Sequence, residues 1–117
     1  MRKENDLSKR LFDFAVQVII YQRTLSRSTE YDVIKYQLTK SSTSAGANYE
    51  ESQGASSKAD FSNKVFISLK EMRESNYWLR VIETINENKS VELKLLIKES
   101  EELKNILGSI TTKTRVN

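Results

Sequence analysis

The stretch KSSTSAGANYEESQGASSKADFSNKVFISLKEMRESNYWLR, residues 40–80, decides how this chain folds: a run of very small side chains passes into one carrying Phe61, Phe66, Tyr77 and Trp78. Small side chains let a helix backbone approach its neighbour closely. Ser, Ala and Gly at near-helical spacing therefore predict a tight helix crossing rather than a catalytic loop. The rest of the chain agrees. It has no Pro and only 3 Gly, which removes the usual punctuation of sheet proteins and leaves long runs free to be helical. Its 117 residues amount to about one domain with a modest core.

Apolar spacing resolves four amphipathic helices. The first runs from Leu7 to Leu25, keeps Leu7, Leu11, Phe14, Val18 and Leu25 near one face, and takes Asp6 or Ser8 as its cap. The second follows caps at Ser28 and Thr29, presents Ile34, Leu38, Ser41, Ala45, Asn48 and Tyr49, and ends at Gly54. Ser57 with Asp60 three residues on resembles a capping box and opens the longest helix. Its inner stripe is Phe61, Val65, Ser68, Leu69, Met72, Asn76, Leu79, Ile82 and Ile85. Asn86 and Asn88 interrupt the pattern, Ser90 caps the fourth helix, and Leu93, Leu96, Ile97, Leu103, Ile106, Leu107 and Ile110 form its stripe. Short connections favour antiparallel neighbours. The expected fold is all-α, an antiparallel up-down-up-down four-helix bundle over residues 1–112, with a frayed tail at 113–117.

Two of the helices carry more apolar surface than one bundle core covers, since Phe66, Tyr77 and Trp78 fall off the stripe of the third and Phe12 and Tyr21 off that of the first. Such a surplus marks a protein interface, so these five residues are the candidate oligomer contacts and the chain is expected to self-associate. The absence of Cys fits a reducing compartment, with the cytoplasm as the default. The N-terminal residues do not read as a signal peptide, and the longest apolar run, Val18 to Tyr21, is too short for a membrane span.

The chemistry-bearing residues argue against an enzyme. Glu50, Glu51, Glu71 and Glu74 suggest the carboxylates of a di-metal bundle, but such sites pair Glu with Glu-x-x-His and the chain has no His. Without His or Cys, none of the Ser residues has a partner base or sits on a Gly-rich elbow. A phosphate-binding G-x-x-x-x-G-K motif is absent as well. No metal, cofactor or catalytic residue is expected.

The runs DLSKRLFDFAVQVI, QLTKSSTSAGANYEESQGASSKADFSNKVFISLKEMRESNYWLRVI and EELKNILGSI resemble the four-helix-bundle family encoded by intervening sequences in bacterial 23S ribosomal RNA genes. The likeness covers almost the whole chain. It is most specific where Ser42, Ala45, Asn48, Glu50, Glu51 and Gly54 precede Lys58, Asp60, Phe61, Leu69, Lys70, Glu71, Arg73, Glu74, Tyr77, Trp78 and Leu79. That family is similar to the accessory variability proteins of diversity-generating retroelements, pentameric barrels that bind a reverse transcriptase and nucleic acid through basic surfaces. The resemblance implies a homo-oligomer, a pentamer in those relatives.

Helical spacing and the family motif together suggest a buried polar network of Asn48, Glu51, Arg73 and Glu74 fixing the register of helices two and three. The net charge of +3 permits an anionic partner without demanding one. Lys9, Arg10, Arg23, Arg27, Lys35, Lys40, Lys58, Lys64 and Arg80 are the candidate nucleic-acid contacts, a modest patch that repetition in a ring would strengthen. The first functional reading is a weak RNA- or DNA-binding oligomeric adaptor. The alternative is a scaffold that binds only proteins. A continuous basic band favours the adaptor, whereas cations paired with carboxylates beside an open apolar groove favour the scaffold.

Overall fold

The computed structural model describes residues 6–87 and 90–115, and four helices account for nearly all of them: α1 (Asp6–Gln22), α2 (Thr29–Gln53), α3 (Lys58–Ile85) and α4 (Val91–Thr114). Three of the helix starts follow from a serine in extended backbone. The hydroxyls of Ser28, Ser57 and Ser90 accept from the amides of Tyr31, Asp60 and Leu93 at 3.0–3.1 Å, satisfying donors that have no partner within the helix. The box at Ser57 closes one residue early, for the Asp60 carboxylate accepts from the amide of Ser56 at 3.1 Å.

Two helix ends differ from expectation. α1 stops at Gln22, and the amides of Arg23, Thr24 and Leu25 turn back to carbonyls three residues earlier, so Leu25 enters the core from a tightened turn. α4 continues through Lys113 and Thr114, two residues of the segment expected to fray. Asn88, one of the expected breaks, lies outside the described residues, and Asn86 ends α3 with its amide on the Ile82 carbonyl at 2.8 Å.

Cross-helix contacts run in opposite senses along α1 and α2 and along α2 and α3. On α2 and α3, Ser41 meets Ser75, Ala45 meets Ser68 and Glu51 meets Lys64. Gln22 bonds Thr39 while Leu11 lies beside Gly46 on α1 and α2, and Asn76 bonds Ser100 across α3 and α4. Helices are in contact in the cyclic order α1, α2, α3, α4, with α1 and α3 on one diagonal and α2 and α4 on the other. The α2–α3 seam is the most extensive and the α1–α4 seam the thinnest. This is the expected antiparallel bundle. Its core is Leu11, Phe14, Val18, Ile34, Leu38, Val65, Met72, Leu79, Ile82, Leu93, Leu103 and Leu107 with their neighbours, the stripes legible in the sequence. Ile85, placed on the inner stripe, instead faces solvent near the end of α3.

The small-residue run is a helix crossing, and hydroxyls hold it. The Ser41 and Ser75 hydroxyls lie 2.8 Å apart, and the Ser68 hydroxyl donates to the Ala45 carbonyl at 2.6 Å, all fully buried. Larger side chains here would force α2 and α3 apart. The expected network of Asn48, Glu51, Arg73 and Glu74 does not form. Asn48 bonds Ser44 on its own helix, Glu51 pairs with Lys64, Glu74 accepts from the Trp78 indole, and Arg73 is exposed. A side-chain amide does link α3 to α4 at Asn76, which donates to Ser100 and Glu101, each at 2.9 Å, and accepts from Arg80. Spacing alone placed Asn48 on the inner face, but its half-buried position leaves the short side chain nothing to reach except its own preceding turn.

Three outcomes follow. Asn76→Ala should lower stability by about 1–3 kcal/mol in urea melts, whereas Asn48→Ala should cost no more than about 0.5 kcal/mol, because only the former orphans groups between helices. Gly46→Ala should stabilise by about 0.5–1 kcal/mol. An added Cβ there meets Leu11 at 3.6 Å, an ordinary contact, so the glycine carries an entropic cost without a steric need. Lys104, through its hydrogen bond, holds the Glu101 carboxyl below its ordinary value of 4.5, with Asn76 assisting. A depressed folded-state pKa contributes stability that is present above the unfolded value and lost as pH falls through the folded one. The Tm difference between wild type and Glu101→Gln should therefore shrink below about pH 4.5.

Candidate nucleic-acid interface

The nine cations read from the sequence do not make a band, because Lys9, Arg10, Lys35 and Lys64 are held within the molecule and Arg80, though bonded to Asn76 through Nε, stays exposed on α3 apart from the others. Lys9 pairs with Asp13 at 2.8 Å. Arg10 reaches across to α4, where Glu99 and Glu102 hold it at 2.6 and 3.1 Å and strengthen its hold on its proton. Lys64 pairs with Glu51 at 2.8 Å, the Lys35 ammonium donates to the Leu25 carbonyl at 3.1 Å, and Arg80 donates through Nε to Asn76. Arg23, Arg27, Lys40 and Lys58 are exposed, but they are strung out from the α1–α2 connection to the start of α3. Those ends are separated by the length of α2, roughly 37 Å at 1.5 Å per residue.

A different set converges on α3. Positions 66, 70, 73, 77, 80 and 84 fall at i, i+4, i+7, i+11, i+14 and i+18, one side of a helix, and they carry Phe66, Lys70, Arg73, Tyr77, Arg80 and Thr84. All six are exposed, with Phe66 at 45% and Tyr77 at 50%. Cations sit against the rings: the Lys70 ammonium lies 5.8 Å from the centre of Phe66, and the Arg80 guanidinium 6.0 Å from that of Tyr77. No carboxylate occupies a position of this stripe. Glu74, beside it, is turned to the Trp78 indole at 3.0 Å. The stripe thus offers two aromatic faces and three cations over roughly 21 Å.

Lys70 and Arg73 stand outside the nine cations read from the sequence, although their spacing from Phe66 and Tyr77 is legible there.

The five proposed interface residues separate as well. Tyr21 is a core residue at 6% exposure, and burial pushes its phenol above the ordinary range. It stands seven residues after Phe14 and three after Val18, so regular helical spacing places it on the inner face. Trp78 is half-buried against the core, edge-on to Tyr77 with ring centres 5.0 Å apart. Phe12, Phe66 and Tyr77 are exposed, but on α1 and α3, the diagonal pair, so they do not form one patch.

Among the described residues, no group of three or more His, Cys, Asp or Glu can hold a metal ion, and no helix is long and apolar enough to cross a membrane. The chain is similar to a crystal structure from Bacteroides thetaiotaomicron described as a protein with unknown function from the S23 ribosomal protein family. The two are 31% identical with a TM-score of 0.80, over 90% of this chain and 97% of that one. No curated protein matches it. The profile of the 23S rRNA-intervening sequence proteins matches residues 3–109, and the chain belongs to that family.

Proposed function

We propose that this protein is a non-catalytic adaptor that binds single-stranded nucleic acid along the outer face of α3. The observation that carries the reading is the interleaving of Phe66 and Tyr77 with Lys70, Arg73 and Arg80 on one exposed, carboxylate-free stripe. Exposed rings stack on bases whatever their identity, and flanking cations follow the phosphates, which is how sequence-tolerant single-strand binding works. Double-stranded DNA would present its bases edge-on within grooves, out of reach of rings standing on a single convex helix. A homo-oligomer, expected from the family resemblance, would repeat the stripe and raise the local positive field. The protein-only scaffold is the competing reading, and it predicts no affinity for nucleic acid.

Fluorescence anisotropy with a labelled oligouridine at low salt tests this. Binding should weaken with salt at a log–log slope of about −2, the value for three phosphate contacts on a single strand. Tyr77→Ala should cost about 1–3 kcal/mol of affinity, the worth of one stacked base. The Lys70→Glu/Arg73→Glu double variant should abolish binding while leaving the circular dichroism unchanged. Absence of binding at low salt, or loss on changing Arg23 and Arg27 but not α3, would sink the proposal.

A further inference from the structure

The stripe on α3 meets a shallow recess at either end, and the two differ in what they offer. Where α3 begins it lies beside the end of α4, and Ser62, Asn63 and Phe66 of the first helix border, with Thr111 and Arg115 of the second, a recess of about 370 Å³. At the other end Tyr77, Arg80, Val81, Thr84 and Ile85 border one of about 240 Å³, drawn from α3 alone. Each recess holds one ring of the stripe and one guanidinium. Their remaining polar groups are disposed differently. In the α3-only recess the Thr84 hydroxyl donates to the Arg80 carbonyl at 2.9 Å, Arg80 is tied to Asn76 through Nε, and Val81 and Ile85 complete an apolar lining. The Tyr77 hydroxyl lies in the plane of its own ring, out of reach of the edge of a base stacked on that ring. In the α3–α4 recess the Thr111 hydroxyl donates to the Leu107 carbonyl, but the Ser62 hydroxyl, the Asn63 side-chain amide and the Arg115 guanidinium have no hydrogen bond or ion pair among the described residues.

Donors gathered beside an exposed ring suit one class of base. Adenine presents N7 next to its amino group, a pair that an Asn side chain meets with two hydrogen bonds, and guanine presents N7 next to O6, a pair that Arg meets in the same way. Pyrimidines have no N7 and offer a single acceptor or donor on the corresponding edge. We infer that the recess between the start of α3 and the end of α4 reads one purine, with Phe66 stacked on the base and Asn63, Arg115 and Ser62 meeting its N7 edge. This rests on the reading of α3 as a single-strand surface, and it gives that surface a specificity the rest of the stripe lacks. Lys70 and Arg73 would contact phosphates, which carry no sequence information, and the Tyr77 end would stack on any base. From Phe66 to Tyr77 the helix rises roughly 17 Å, about five steps of a stacked strand at about 3.4 Å each. One strand of about six nucleotides therefore reaches both recesses, with its purine at one end only.

The test compares fluorescein-labelled hexauridine with hexamers carrying one adenine, one guanine or one 7-deazaadenine at either end, by anisotropy on the full chain at low salt. A purine at one end should tighten binding about fivefold over hexauridine, and the same purine at the opposite end should gain less than about twofold. The 7-deaza base stacks as adenine does but has no acceptor at that position, so its affinity should fall back to within about twofold of hexauridine. Asn63→Ala should remove the adenine gain and Arg115→Gln the guanine gain. Both side chains are exposed, so circular dichroism should be unchanged in each variant. An equal gain at both ends, an equal gain from 7-deazaadenine, or a gain that survives both substitutions would overturn the inference, as would tight binding of hexauridine with no preference for a purine. Failure of every hexamer to bind would sink the underlying reading of α3, and this inference with it.

Discussion

The close approach of α2 and α3 is the constraint on which the remaining structure depends. Two long helices can meet along their most extensive seam only because Ser41, Ala45, Ser68 and Ser75 offer almost no side-chain volume there. Their hydroxyls are consumed inside the crossing, so the seam contains no unpaid polar group to weaken it. With α2 and α3 set, α1 and α4 pack against their outer flanks, where larger apolar residues fill the core. The seam between α1 and α4 comes last and closes least. The tight side of the molecule and its open side are therefore two consequences of one packing arrangement.

Polar residues inside the bundle divide by reach. Serine on a crossing bonds a carbonyl or a second hydroxyl without separating the helices, whereas Asn76 is long enough to span from α3 to Ser100 and Glu101 on α4. Asn76 also accepts from Arg80, so the link between α3 and α4 sits directly beside one end of the aromatic and cationic stripe. The guanidinium carbon stays 6.0 Å from the Tyr77 ring. A structural hydrogen bond thus orients a side chain of the proposed binding surface.

Much of the fold was readable because helices announce themselves locally. Serine caps, stripes at three- and four-residue spacing, and the absence of Pro identified four helices and most of the buried set. The candidate site was read far less well. Net charge and a list of Lys and Arg say nothing about which cations find carboxylates, and Arg10 finds Glu99 at a separation of 89 positions. The aromatic surplus was visible as a quantity, yet Tyr21 was counted in it although its place seven residues after Phe14 puts it on the inner face. Asn48 was misjudged for a related reason, since sharing a face with core residues does not place a polar group within reach of another helix.

What the sequence determined by itself is the all-helical bundle, its capped starts, its serine-lined crossing and its family. These depend on residues a few positions apart, whose relation a helix makes almost rigid. What only the tertiary structure decided is which charges survive on the surface, which rings remain uncovered, and that the seam between the first and last helices stays thin. Those properties arise from pairing across the chain, where distance in sequence carries no information about distance in space.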